Sequence, residues 1–215
     1  GGLTAADIQI YKQAFAAADR NQWPQARALA AKAKNPLPAK VIQWLDLVRP
    51  GPGRSFAEMT AFLAKNADWP LRGTLQAQAE RTMPDDYDAK SVVQWFTGRE
   101  PLTGKGAARL VGALVATGNT TRATAVARAA WLGLDFSADD EDDFLHTAGQ
   151  YLRPADDVAR LDSLLWDGDE EQAKRMLDRV DDDHRLEAKA RMALADQARN
   201  AEAALAAVPA SLKRD

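Results

Sequence analysis

The chain contains no cysteine, which excludes disulfides, thiolate metal sites and cysteine nucleophiles. It has two histidines, His146 and His184, too far apart for any ligand spacing, and both read as surface or inter-helix residues. No apolar run approaches the roughly 18 residues of a membrane span, so no span is expected. No charged start leads into an apolar core, so no signal peptide is visible. Gly1-Gly2 reads as a cloning or processing scar, upstream of which a signal could have been removed. Nowhere do β-branched residues alternate with polar ones over a strand length, so no sheet is expected.

Recognisable catalytic chemistry is missing as well. No HExxH, GxSxG or similar nucleophile motif occurs. The run Gly98-x5-Gly104-Lys105-Gly106 is one residue too long for a phosphate loop. It also lacks Ser or Thr after the lysine and follows no strand. The acidic runs Asp139–Asp143 and Asp181–Asp183 lack the alternation and glycine of a calcium loop, and helix N-termini account for them. Exposed Asp-Asp repeats do not make a glycosidase pair without a cleft. No catalytic, metal or cofactor-binding residue is therefore assigned, and no cofactor is expected.

What is present is an ordinary globular composition, with 46% hydrophobic and 27% charged residues. The net charge of −3 is unevenly spread. Residues 1–133 carry 17 Lys+Arg against 10 Asp+Glu, while residues 134–215 carry 11 against 21. This split reads as solvated faces, as head-to-tail attraction within or between copies, or as a basic surface for an anionic polymer. Nucleic acid is disfavoured, because the total is acidic and no basic run is interleaved with aromatics.

The dominant signal is helical periodicity, interrupted every 12–18 residues by Gly, Pro or Asn. One stripe runs through Ile8, Tyr11, Phe15 and Ala18 behind a Thr4/Asp7 cap pair. Ser55 and Glu58 form a predicted capping box ahead of Phe56, Met59, Phe62 and Leu63. Leu71, Leu75 and Ala79 follow, closed by Met83-Pro84. Later stripes comprise Leu110/Val111/Leu114/Val115, Val158/Leu161/Leu165, Ala173/Met176/Leu177/Val180 and Leu186/Ala190/Leu194. Ser137 and the acids after it mark another helix start.

Three of these segments share one layout. Asn21-x4-Ala26, Gly118-x4-Ala123 and Gly168-x4-Ala173 each set a turn residue before a polar segment, then a small Ala, then an apolar pair. The pairs are Leu29/Ala30, Val126/Ala127 and Met176/Leu177. Each follows an earlier helix, at 4–20, 103–117 and 154–166, so each reads as an α-hairpin whose helices approach closely at the Ala. Such hairpins must stack to bury their apolar faces. The predicted fold is all-α: a right-handed, TPR-like α-α superhelix of about twelve short helices, one domain over residues 1–215.

Trp-Pro pairs open two of these helices, at Trp23-Pro24 and Trp69-Pro70. Proline suits the first helical position. The preceding Trp can fold back and wedge between hairpins, so Trp23 and Trp69 are read as structural pegs. Trp44, Trp95, Trp131 and Trp166 sit within or at the ends of apolar stripes and are read as core. A sugar-stacking groove is the competing use of six tryptophans. Ligand-contacting residues are not identifiable from sequence.

Four stretches together resemble the N-terminal superhelical domain of soluble lytic murein transglycosylases of the alphaproteobacterial type. They are DWPLRGTLQAQAER (68–81), WFTGREPLTGKGAARLVGALVATG (95–118), RLDSLLWDGDEEQAKRML (160–177) and ARNAEAALAAVPASLKRD (198–215). The resemblance implies a periplasmic enzyme that cleaves the MurNAc–GlcNAc bond of peptidoglycan, leaving a 1,6-anhydromuramoyl end. It further implies a U-shaped helical domain, part of a ring around the glycan strand. The implied acid/base Glu lies in a separate lysozyme-like C-terminal domain, within a Glu-Ser motif followed by a GLMQ-like segment. None of the eight glutamates here precedes a serine and no such segment occurs, so no catalytic residue carries over.

The expected role is therefore a non-catalytic scaffold that positions the glycan strand. Its expected partners are peptidoglycan, the enzyme's own catalytic domain and other cell-wall proteins. The alternative is a stand-alone TPR-like adaptor that grips a partner protein or peptide in its concave face.

Overall fold

The computed structural model describes residues 2–207. Among them are twelve α-helices, two short 3-10 turns and no strand, so the all-α expectation holds. The chain divides into two compact units between Tyr87 and Asp88.

The first unit contains α1 (Ala5–Asp19), α2 (Trp23–Ala30), α3 (Leu37–Val48), α4 (Phe56–Lys65) and α5 (Arg72–Thr82). Helices α1 and α2 form one hairpin, α4 and α5 a second, and α3 packs against α1, α2 and α5. The contact surface of the first hairpin is small-residue: Ala14, Ala17 and Ala18 of α1 meet Ala26 and Ala30 of α2, with Tyr11 and Ile42 beside them. Residues without bulk beyond Cβ bring the two backbones close, which suits helices too short to be stable alone. The second hairpin buries Phe56, Met59, Phe62 and Leu63 against Leu75 and Ala79.

The second unit contains α6 (Ala89–Trp95), α7 (Gly104–Ala116), α8 (Thr120–Gly133), α9 (Ala138–Ala148), α10 (Pro154–Asp167), α11 (Glu170–Met176) and α12 (Asp182–Ala207). Helix α7 packs on α6, α8 and α9, and α10 packs on α8, α11 and α12. At its centre the Trp131 and Phe144 rings lie parallel at 5.7 Å, with Phe136 tilted against both. Phe136 also covers Gly104 so closely that a Cβ there would sit 2.4 Å from its ring.

The repeated sequence layout corresponds to a repeated turn. Asn21, Gly118 and Gly168 all take positive φ, at 58°, 81° and 75°. In each case the next residue's N–H reaches back five positions: Gln22 to Ala17, Asn119 to Leu114 and Asp169 to Leu164, at 2.8–2.9 Å. This is the Schellman ending, which satisfies the last carbonyls of the first helix. Asn119 and Asp169 then cap the next helix, accepting from the N–H groups of Arg122 and Gln172. Ala26, Ala123 and Ala173 are each fully buried. One turn thus ends a helix, reverses the chain and brings the following Ala onto its partner.

The predicted caps hold in part. Thr4 and Asp7 form a complete capping box. Ser55 accepts from the Glu58 N–H, but Glu58 does not return the bond, because its carboxylate is taken by Arg27 of α2 and Gln43 of α3. Stripes shift as well. Ile8, Leu71 and Val115 are exposed, and α10 buries Asp157, Arg160, Leu161 and Leu164. In α12 the buried row is Ala188 and Met192, while the predicted Leu186, Ala190 and Leu194 face outward.

Candidate ligand groove beside the last helix

The six residues singled out from sequence divide into pegs that pack and one that does not. Trp23 opens α2 and Pro24 takes its second position, one later than expected. Trp23 is half-buried against the α1/α2 core, under the Arg49 guanidinium at 5.2 Å. Trp69 wedges edge-on between Trp44 of α3 and Phe62 of α4, and the Lys40 ammonium sits 4.3 Å from its ring centre. Pro70 does not start α5, which corrects the sequence reading. Leu71 intervenes in left-handed conformation and the helix begins at Arg72. The Arg72 guanidinium donates back to the Leu63 and Asn66 carbonyls and fixes the loop, while the Pro70 carbonyl accepts from the Trp44 indole. Trp95 is buried, edge-on to Phe96 at 4.8 Å with Arg99 stacked on it.

Trp166 departs from this pattern and corrects the expectation of core packing: it is 79% exposed. Its position on α10 explains why. Residues advance 100° each around a helix, so Trp166 lies roughly 200° from the buried Leu164. The inward face belongs to Asp157, Arg160, Leu161 and Leu164. No signal in the Trp spacing alone distinguishes this tryptophan from the other five. The heavy charge around it, Asp162 four before and Asp167-Gly168-Asp169 just after, does.

Trp166 borders a groove of about 570 Å³ running along α10, α11 and α12. Leu165, Met192, Leu194 and Ala195 supply apolar wall. Two ion pairs tie the sides together: Arg191 Nη1 to Asp162 and Arg199 Nη2 to Glu170, each 2.6 Å. Arg199 also donates to Asp196, and its hydrogen bonds to Glu170 and Asp196 hold its pKa above the ordinary arginine value. The Arg191 guanidinium lies 6.0 Å from the Trp166 ring centre. Exposed Glu187 adds a further carboxylate. Deeper in this unit, Asp169 accepts from Gln172, chiefly through its backbone N–H, and is held below the usual carboxylate range.

Of the two histidines, His184 lines a second, smaller pocket of about 210 Å³ with Asp162, Glu187 and Arg191 of the groove. His184 contacts Asp181 at 2.6 Å at the start of α12, and His146 is exposed on α9. Gly104 and Gly106 lie in the first turn of α7, capped by Thr103, as a helix start rather than a phosphate loop. Glu141 lies in the first turn of α9, as read from sequence, and is also buried and paired with Arg175 at 3.4 Å. Among the described residues no group of three or more His, Asp or Glu is placed to hold a metal ion. No helix among them is long and apolar enough to cross a membrane.

No protein-family model matches this chain, and no curated protein or solved structure matches it.

Proposed function

We propose that this chain is a non-catalytic helical scaffold domain of a periplasmic peptidoglycan lytic transglycosylase, helping to hold the glycan strand for a catalytic domain. The observation that carries the reading is the Trp166 groove: an exposed indole beside paired guanidinium and carboxylate groups, on a stack of helical hairpins. Aromatic faces with a few convergent polar groups are how ligand sites are commonly built. The four sequence stretches that resemble the superhelical domain supply the substrate class, and two of them (160–177 and 198–215) contribute Trp166 and Arg199 to the groove. The 198–215 stretch continues past the described residues.

The intact chain is expected to co-sediment with purified sacculi and to release no 1,6-anhydromuramoyl product from them. Release of that product would place catalysis in this chain and end the scaffold reading. The adaptor reading draws on the apolar wall of Leu165, Met192 and Leu194, to which a peptide could dock. It gains if the chain ignores sacculi.

A further inference from the structure

Helix α12 is 26 residues long, yet only its first half is anchored. Ala188 and Met192 pack inward, whereas every side chain from Ala193 to Ala203 is exposed. At 1.5 Å per residue, about 15 Å of helix thus runs on past the last buried contact. Helices in water draw most of their stability from packing an apolar face, and a stretch of this length is marginal alone. The outward row spans both halves: Leu186, Ala190, Ala193, Leu194, Gln197 and Ala201 are all exposed. They fall within about 100° of one another around the axis, opposite Ala188 and Met192. Leu186 and Leu194 are large apolar side chains left in water, at 65% and 66% exposure. The alanines between them permit a second helix to approach closely, as Ala14, Ala17 and Ala18 of α1 do for Ala26 and Ala30 of α2.

Charge selects what can lie there. Residues 134–215 carry 21 Asp+Glu against 11 Lys+Arg. From His184 to Ala207, however, α12 sets Arg185, Lys189, Arg191 and Arg199 against Glu187, Asp196 and Glu202. The row is therefore a near-neutral strip on an acidic unit. Lys189 and Asp196 project from the same flank of it, about 20° apart around the axis. Lys189 is exposed and has no partner among the described residues, and Asp196 uses only Oδ1, toward Arg199. In an antiparallel pair related by a two-fold axis, equivalent flanks face one another. With that axis between the levels of Met192 and Ala193, Lys189 of each copy stands opposite Asp196 of the other. Leu186 then seats between Gln197 and Ala201 of the second copy, and Ala190 between its Ala193 and Gln197. Each projecting half lies along the other copy's anchored half. A parallel pair would instead set Lys189 against Lys189, bring the Asp182-Asp183 turns together and align the two helix dipoles.

We propose that the outward face of α12 is a self-association surface, on which a second copy of this chain docks its own α12 antiparallel. The Trp166 groove lies on the opposite flank of α12 from Lys189, beyond Leu194, so the pairing does not draw on Trp166.

One helix pair makes a small interface, so a reversible dimer with Kd between about 10 μM and 1 mM is expected in sedimentation velocity of the intact chain. Ala193→Glu sets two carboxylates beside the axis. Position 193 is exposed and glutamate is a good helix former, so the circular dichroism should stay that of wild type while Kd rises about tenfold or more. Lys189→Glu should also weaken the dimer, and adding Asp196→Lys should restore it. The absence of cysteine from the chain makes the register directly readable. Ala193→Cys stands close to its own counterpart across the axis and is expected to oxidise to a disulfide-linked dimer. Ala201→Cys should not, because its counterpart is about 25 Å away along the seam. Trp166→Ala should leave the dimer intact, whether or not the chain binds sacculi, which keeps this result independent of the scaffold reading. A chain that stays monomeric to about 1 mM would overturn the proposal and hand the face to a helix of another protein. Wild-type dimerisation in Ala193→Glu, or cross-linking of Ala201→Cys as readily as Ala193→Cys, would overturn it too. So would a dimer that Trp166→Ala disperses, since the contact would then lie in the groove.

Discussion

Arg160 shows what a single residue contributes to the second unit. Its side chain is 1% exposed. Nη1 donates to the Trp131 and Leu134 carbonyls at 2.6 and 3.0 Å, and Nη2 to Gln172 Oε1 at 2.7 Å. Its guanidinium also stacks on Trp131 at 4.5 Å, with Glu141 3.9 Å away. Burial pushes its pKa below the ordinary arginine value while Glu141 opposes the shift. Arg160→Met removes the charge and leaves the Trp131 and Leu134 carbonyls without their donor, while Glu141 keeps Arg175 and Gln172 keeps the Phe136 N–H. A loss of about 3–5 kcal/mol is expected from urea unfolding, the scale of breaking a buried charge network from one side. Arg160→Lys should recover little of it, because an ammonium cannot span three acceptors as the planar fork does. None of this was legible beforehand. The sequence shows Arg160 as one more charge on a helix, and only its spacing to Leu161 and Leu164 hints that it points inward.

Asp7 makes a comparable tie in the first unit. Its carboxylate accepts from the Lys34 N–H at 2.8 Å and from Thr4, pinning the segment after α2 to the start of α1. The Lys34 bond is the main reason its pKa lies below the usual carboxylate range, with burial opposing it. A carboxylate depressed in the folded state stabilises fully above its unfolded pKa, and loses that contribution as pH falls through the folded value. Wild type should therefore be more stable than Asp7→Asn at neutral pH, and the two unfolding midpoints should converge below about pH 4. A constant gap down to the acid limit would assign the effect to packing.

At the level of elements, the hairpin turns were the most readable feature and the last helix the least. The Asn/Gly-x4-Ala layout translates directly into a Schellman turn and a buried Ala, because both requirements are local: a positive φ and a missing side chain. At position 118 the backbone has φ of 81° and open space around a would-be Cβ, so strain rather than collision should decide its variants. Gly118→Val is expected to cost about 1–2 kcal/mol, whereas Gly118→Asn, the residue type used at position 21, should cost less than half as much. Gly104→Ala is the opposite case. Its backbone is helical, but the new methyl meets the Phe136 ring, and a loss of about 1–3 kcal/mol is expected from overpacking. Thermal unfolding of the three variants orders them. Helix α12 resisted reading because it packs on α10 and the turn before it, and its alanines make several rows equally apolar. Periodicity identifies such a helix but not which row turns inward.

For the whole molecule, the uneven charge and the Trp166 groove make separable demands. Residues 1–133 carry a balance of +7 and residues 134–215 one of −10, from the counts of basic and acidic side chains along the chain. If this split helps the chain hold an ionised polymer, the attraction acts between exposed charges and is screened over about 10 Å at 0.1 M salt. Stacking of a neutral sugar on Trp166 involves no net charge and should ignore salt. The expected pattern is thus a dissociation. Raising sodium chloride from about 0.05 to 0.5 M should weaken co-sedimentation with sacculi, while the affinity for tri-N-acetylchitotriose, a short soluble stand-in for the glycan strand, stays constant. Sacculus binding indifferent to salt would remove any role for the charge split and leave the groove as the source of affinity. Trisaccharide binding that strengthens with salt would mean the Asp162–Arg191 and Glu170–Arg199 pairs open to receive their ligand, because screening weakens the attraction that opening gives up.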